Sequence, residues 1–282
     1  MNNLGHIRKI YKKKLDDAGI TDSYQESIAL LSFSLGISEL KIISENNLSI
    51  SENELKRIDL IFSKRLSKIP LAYITNEKNF NRYKFYVNEN VLIPRFETEE
   101  LVDNFLKFYR NSKTKGKRLI DIGTGSGIIP IILQKELPTL EYFGIEISLS
   151  AIKVAKRNIY LHKSKINLLN ESIKESKIAS IDFVLSNPPY IKSNILKNLS
   201  HEVKNEPKIA LDGGKNGATV IKEIFEWEQN INKNNAVYLL LEIDEEIYKI
   251  TKKLAEKFYP NYKIEFIEDM NKNLRFISIS EN

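Results

Sequence analysis

The sequence predicts an α/β protein: a parallel, doubly wound sheet preceded by a small helical bundle and a bridging β-hairpin. Three observations carry this expectation. From residue 118 onward, short apolar runs alternate with helical patterns at the spacing of β-α units. Residues 1–70 read only as helices with clear start and stop signals. Residues 73–93, YITNEKNFNRYKFYVNENVLI, switch to aromatic and β-branched residues with polar interruptions.

In chain order, Leu4, Ile7, Tyr11, Leu15 and Ala18 keep a helical stripe that Gly19 ends. Ser23-x-x-Glu26 has the form of a capping box opening a helix that runs to Gly36, and a shorter helical piece follows Ser38. Ser51-x-x-Glu54 opens another helix, with Leu55, Ile58, Ile61, Phe62 and Leu66 on one side, before Pro70 closes the segment. This bundle holds no polar constellation, so partner recognition is its expected role. The expected domains are therefore a helical substrate-recognition domain over 1–70, a linker with the hairpin over 71–95, and a catalytic domain over 96–282.

The catalytic part begins with a helix over 97–110 and a Lys-rich loop leading to 117. There follow the strand RLIDIG, a helix over 127–137, EYFGIEI, a helix over 149–162, INLLN and IDFVLSN. A helix over 215–230, the strand AVYLLLEI, a helix over 245–257 and a closing pair, KIEFIED with LRFISI, complete the pattern. The last two strands read as an antiparallel pair. Ligands of such sheets bind beyond the carboxyl ends of the strands.

Composition narrows the chemistry. No apolar run approaches a membrane span, and the basic N-terminus, Arg8 to Lys14, lacks the apolar core of a signal peptide; a soluble cytoplasmic protein is expected. The absence of cysteine excludes disulfides, thiolate nucleophiles and cysteine-ligated zinc. His6, His162 and His201, the three histidines, lie apart among lysines, which predicts solvated surface roles and no metal site. The net charge of +6 comes from lysines spread among Asn, Ser and Glu, a solubility pattern with one cluster at 8–14. Amides, carboxylates, backbone and a borrowed cofactor remain.

The first motif, DIGTGSG at 121–127, sits where the first sheet strand meets its helix. Gly123, Gly125 and Gly127, with Thr124 and Ser126 between them, allow a tight turn and close approach of a ligand. The loop lacks the third glycine of a dinucleotide fingerprint, since position 128 is Ile, and the Gly-Lys-Ser/Thr ending of a phosphate loop. Glu146 ends the next strand, where a carboxylate accepts both ribose hydroxyls of an adenosine-containing cofactor. Adenosine without phosphate fits S-adenosylmethionine. The following strand end offers Glu171 or Ser172 for the adenine edge.

The second motif, SNPPY at 186–190, ends the fourth strand on the same edge. Residues before proline are driven toward extended geometry, and proline offers a carbonyl without a competing N–H. The Asn187 side-chain oxygen and the Pro188 carbonyl are suited to accept the two hydrogens of an NH2 group. Holding both hydrogens orients the nitrogen for in-line displacement and stabilises the positive charge that develops on it. Tyr190 offers an aromatic cover for the substrate's planar face. Asn187, Pro188 and Tyr190 are the expected catalytic residues, Pro189 joins them in binding substrate, and Asn187 also borders the cofactor.

These stretches together resemble the glutamine methyltransferases of peptide chain release factors. The resemblance rests on IPLAYITNEKNF (69–80), LIPRFETEELVD (92–103), DIGTGSG, SNPPYI, NEPKIALDGGKNG (205–217) and LLLEI (239–243), and covers nearly the whole chain. It implies a Rossmann-like class I methyltransferase sheet and, as substrate, the glutamine of the release factor Gly-Gly-Gln loop. It also implies an N-terminal bundle that grips the factor, with no membrane and no sequence-specific nucleic acid as partner. The alternative is an adenine-N6 nucleic-acid methyltransferase, which would hold a flipped-out base with the same Asn-Pro-Pro-Tyr. The sequence departs from the family pattern at Asn76, Phe96 and Asp244 and in the tail before Arg275, where glycine or proline is usual. Asn76 and the tail asparagines are expected to keep the left-handed backbone that glycine would supply.

Overall fold

The computed structural model describes residues 3–112, 116–178, 180–231 and 238–281. Its chain forms two compact units, Met1–Glu77 and Lys78–Asn282. Parts of the expected Lys-rich loop (113–115) and of the strand AVYLLLEI (236 and 237) lie outside the described residues.

The first unit packs α1 (Leu4–Asp17), α2 (Ser23–Leu35), α3 (Glu39–Ser44), α4 (Glu52–Leu66) and the short α5 (Leu71–Thr75). Its core draws on Leu4, Ile7, Tyr11 and Leu15 from α1 and Ile58, Ile61 and Phe62 from α4, the stripes legible in the sequence. Tyr11 and Phe62 meet with ring centroids 4.4 Å apart. The Ser51–Glu54 capping box forms, satisfying backbone donors at both residues. The box expected at Ser23 and Glu26 does not. Asp22 stands at the N-cap, the Ser23 hydroxyl donates to Asp16, and Glu26 accepts from Arg65 Nε at 2.5 Å and Nη2 at 3.1 Å. The buried guanidinium outcompetes one backbone N–H for that carboxylate, because an unpaired Arg at this depth would cost far more. Asn76 ends α5 with φ of 57°, the left-handed conformation expected of it.

The second unit opens with the hairpin β1 (Glu77–Phe80) and β2 (Tyr83–Tyr86), followed by α6 (Phe96–Asn111). Then come β3 (Arg118–Ile122), α7 (Ile128–Glu136), β4 (Glu141–Ile145), α8 (Leu149–His162), β5 (Ile166–Leu169) and β6 (Phe183–Ser186). After them stand α9 (Thr219–Ile231), β7 (Tyr238–Glu242), α10 (Tyr248–Phe258), β8 (Lys263–Glu268) and β9 (Leu274–Ser280). The seven strands order as β5-β4-β3-β6-β7-β9-β8, with β9 antiparallel between β7 and β8 and the others paired parallel. Period-2 alternation sends Ile120, Ile122, Leu239 and Leu241 into one core with α9 and α10. Leu119 and Leu240 point into the other, with α6, α7 and the hairpin's Phe80 and Phe85. This is the doubly wound sheet that the sequence predicts.

Further local expectations change. Tyr73 to Thr75, read with the hairpin, belong to the helix α5. His162 is half-buried, its ring against Phe85 with centroids 4.4 Å apart and its Nε2 3.0 Å from the Lys84 carbonyl, so it fastens the hairpin and is not a solvated surface group. In the tail, the left-handed residue is Lys272, with φ of 65°, and not an asparagine. Arg8 of the basic cluster donates to the carbonyls of Ile42 and Ile43, a structural bond between α1 and α3. No helix of the described residues is long and apolar enough to cross a membrane.

The Arg65–Glu26 pair yields a prediction. Arg65→Ala strands a largely buried carboxylate and is expected to destabilise the helical unit by roughly 3 kcal/mol. Urea unfolding followed by circular dichroism checks it; a change within about 0.5 kcal/mol would mark the pair as dispensable.

Candidate active site

Parallel pairing sets the strand ends level. Ile122 pairs with Ile145 and Ile145 with Leu169, so Gly123, Glu146 and Asn170 emerge side by side from β3, β4 and β5. On the other flank, Ser186 pairs with Leu241, which brings Asn187 beside Glu242 at the end of β7. The Ser186 hydroxyl donates to the Ile122 carbonyl at 2.6 Å and locks β6 to β3 there. A cavity of about 280 Å³ opens over this edge. Its lining includes Gly123, Thr124, Gly125, Ser126, Glu146, Glu171, Ser172, Asn187, Pro188 and Pro189.

Most of the sequence-predicted residues therefore meet at one cavity. Gly123 and Gly125 have φ of 71° and 55°, and a Cβ on Gly123 would find no atom within 4 Å. The loop thus presents bare backbone to open space. Gly127 does something else: it is the N-cap of α7, held at φ of 78°, and this left-handed turn is what calls for glycine there. Glu146 is buried, accepting from Gly125 N–H at 3.0 Å through Oε2 and from Ser148 N–H at 2.8 Å through Oε1. Burial pushes its carboxyl up, while these backbone donors pull it back. Each oxygen keeps lone-pair capacity for a further donor. Glu171 and Ser172 both border the cavity, and the Ser172 hydroxyl accepts from Lys174 N–H at 3.3 Å.

The amide of Asn187 is held by its nitrogen. Nδ2 donates to Thr98 Oγ1 at 3.0 Å, and no protein donor meets Oδ1 among the described residues. Tyr190 is turned away from the lining: its ring packs into the core with α9 and α10, and its hydroxyl donates to Glu242 Oε1 at 3.2 Å. The SNPPY backbone is buttressed by the glycines of NEPKIALDGGKNG. Ile191 N–H donates to the Leu211 carbonyl at 3.0 Å and Gly213 N–H to the Ile191 carbonyl at 2.8 Å. A Cβ on Gly213 would lie 2.7 Å from the Pro189 carbonyl oxygen, so no larger residue fits.

Three residues without an assigned role in the sequence reading shape the site. Thr98 lines the cavity at the first turn of α6, and Glu242 is its wholly buried partner. Glu206 is buried as well; it accepts from Ile93 N–H at 3.0 Å and pairs with Arg95, pinning residues 90–94 along the cavity. All three fall inside stretches that carry the family resemblance, which was the only signal for them. Asp121, at the start of DIGTGSG, is also fully buried and has no well-formed hydrogen bond to either oxygen. Asp244 caps the turn after β7 by accepting from Glu246 N–H at 2.9 Å, so this departure supplies its own turn.

The level strand ends, glycine loop and acidic second strand end define a class I S-adenosylmethionine-dependent methyltransferase. In agreement, residues 98–250 match the family described as "Methyltransferase small domain", and residues 6–75 match "PrmC N-terminal domain". The release factor glutamine methyltransferase of Thermodesulfovibrio yellowstonii is 32% identical over 258 residues, 90% of each chain; that of Bacillus subtilis is 31% identical over 265 residues, 91% of this chain and 90% of its own. The chain belongs to the release factor glutamine methyltransferase family. Among solved structures, the catalytic domain of hMettl16 in complex with MAT2A 3'UTR hairpin 6 superposes with a TM-score of 0.53 at 16% identity, covering 70% of this chain and 74% of that one, a likeness of fold.

Burial pushes the carboxyls of Asp121 and Glu242 up to about 7, with the Thr124 hydroxyl pulling Asp121 back and the Thr98 and Tyr190 hydroxyls pulling Glu242 back. Each group therefore binds its proton more tightly in the folded chain than in the unfolded one. Their contribution to stability is full below about pH 4 and falls as pH rises through about 7. Asp121→Asn cannot ionise and is expected to make that fall shallower. Urea melts of the two proteins between pH 4 and 8 test this; parallel curves would mean that Asp121 does not titrate in that window.

Proposed function

We propose that the chain transfers a methyl group from S-adenosylmethionine to the side-chain amide nitrogen of glutamine in the Gly-Gly-Gln loop of peptide chain release factors. One observation carries the reading: the Asn187 amide is tethered through its nitrogen, leaving its oxygen as a free acceptor at a cavity that also presents the glycine loop and Glu146. A bare backbone cradle ending on a carboxylate, with no Lys or Arg among the described lining residues, suits the uncharged ribose and adenine of this cofactor. Gly123 to Gly125 would lie under its methionine portion, Glu146 on the ribose, and Glu171 or Ser172 at the adenine edge; Thr124, Ser126 and Gly127 shape the loop. Bound S-adenosylmethionine supplies an electrophilic methyl on sulfonium.

The chain's own residues then work by position. An amide nitrogen is a poor nucleophile because its lone pair is delocalised into the carbonyl. With one hydrogen on Asn187 Oδ1 and the other on the Pro188 carbonyl, its lone pair is aimed along a single direction, and the charge that develops on nitrogen falls on two fixed acceptors. Pro189 stiffens the segment, and Tyr190 anchors it through Glu242. No base is required, since the proton leaves after transfer, when the nitrogen has become acidic. The helical unit, matching the N-terminal domain of the same family, supports a role in gripping the factor. The relatives do not favour the adenine-N6 reading.

Incubation with labelled S-adenosylmethionine and release factor, unrelated protein or DNA as acceptor tests the reading: label should enter only the factor, at the Gly-Gly-Gln glutamine. Label in DNA alone would overturn it. Glu146→Ala is expected to weaken cofactor binding by about 1–3 kcal/mol in calorimetry, and equal affinity would take Glu146 out of the site. Asn187→Ala should lose about 10²–10³ in turnover with the cofactor still bound. Asn187→Asp should be impaired as well; an Asp variant of full activity whose rate follows an acidic ionisation would make this residue a base.

A further inference from the structure

We infer that Thr98 and Glu242 are positioning residues that fix which end of the Asn187 amide faces the substrate. The inference rests on the role given to Asn187 above. An asparagine amide is nearly symmetric in shape, so packing alone does not distinguish its oxygen from its nitrogen. Only the oxygen can accept a substrate hydrogen; a flipped amide would present two donors to an NH2 group and repel it.

Proton counting along the chain of hydrogen bonds decides the orientation. Thr98 has one hydroxyl hydrogen, and it goes to Glu242 Oε2 at 3.0 Å. Having spent its hydrogen, Thr98 Oγ1 can only accept from its other neighbour, and Asn187 Nδ2 stands 3.0 Å from it. The second carboxyl oxygen, Oε1, is occupied by the Tyr190 hydroxyl at 3.2 Å, so Glu242 cannot swing away without leaving a buried donor unpaired. Thr98 is 5% exposed and Glu242 1%, so the bond between them is shielded from bulk solvent. In its ionised form, which both hydroxyl donors favour against burial and which prevails above about pH 7, Glu242 accepts from both sides and donates to neither. The polarity therefore propagates from Glu242 through Thr98 to the amide, and Tyr190 belongs to this relay and not to the cavity wall.

The test compares Thr98→Val, Thr98→Ser, Glu242→Gln and Asn187→Ala in the full-length enzyme, measuring single-turnover methylation of release factor, its KM, and S-adenosylmethionine affinity by calorimetry. Thr98→Val keeps the shape and removes the relay; Glu242→Gln keeps the shape and supplies an NH2 that can reverse it. Both should lower turnover by about 10²-fold, the effect of a misaligned reacting group, with cofactor affinity and KM held. Thr98→Ser should restore turnover. Full turnover in Thr98→Val and Glu242→Gln beside an inactive Asn187→Ala would overturn the relay and leave the role of Asn187 standing. Full turnover in Asn187→Ala would overturn both. Loss of cofactor affinity in step with turnover, or a serine variant that fails to recover, would reduce Thr98 to a structural residue and likewise overturn the inference.

Discussion

The register of the parallel strands is the constraint on which the site depends. Hydrogen bonding between β3, β4 and β5 holds Ile122, Ile145 and Leu169 in line, and pairing of β6 with β7 does the same for Ser186 and Leu241. Whatever residue follows each of these must emerge at one edge. A slip of one residue in any pair would turn a carboxylate or an amide from that edge into the core or the opposite face. Buried, two-sided apolar strands such as FVLS resist such a slip because both of their faces are committed to packing.

That edge is assembled at a cost to the fold. Asp121, Glu146, Glu206 and Glu242 are all buried at or near it, and desolvation pushes the carboxyls of Asp121, Glu146 and Glu242 up. A core of the same volume without them would be easier to stabilise. Each buried carboxylate with partners instead immobilises a loop: Glu146 the glycine loop, Glu206 the segment 90–95, and Glu242 the pair Thr98 and Tyr190. The loops that border the cavity are in this way set by acceptors inside the protein, and the cavity is shaped before any ligand arrives. Preorganisation of this kind spares the reaction the work of reorganising dipoles when charge develops.

The legibility of the chain in its sequence follows the range of the interactions involved. Helix stripes, the Ser51–Glu54 box, the alternation of strands and helices, and the glycine and proline motifs are local, and the structure has them where the pattern put them. Local failures are Tyr73 to Thr75, which belong to α5 and not to the hairpin, and the tail turn, where Lys272 is left-handed; the others are at a distance. Ser23-x-x-Glu26 has the form of a cap, but its carboxylate is claimed by Arg65, 39 residues on. His162 looked solvated until the hairpin's Phe85 and Lys84 carbonyl came against it. Tyr190 reads in the sequence as a cover over the substrate, whereas its hydroxyl reaches Glu242, 52 residues away, and its ring packs into the core beside the cavity lining. A periodic or motif reading has no access to a partner that only the tertiary fold delivers.

The same distinction explains why Asn187-Pro188-Pro189 needed more chain than itself. Two prolines fix φ and remove donors, which stiffens the segment without deciding where it points. Direction comes from the neighbouring 211–217 stretch, whose backbone pairs with Ile191 and whose Gly213 leaves room for the Pro189 carbonyl, and from Thr98 at the start of α6. Segments separated by about ninety residues on one side and twenty-five on the other converge on one amide. The transfer proposed above works by position and so depends on angles, and angles are set by such convergence: each added support removes one freedom of the Asn187 amide.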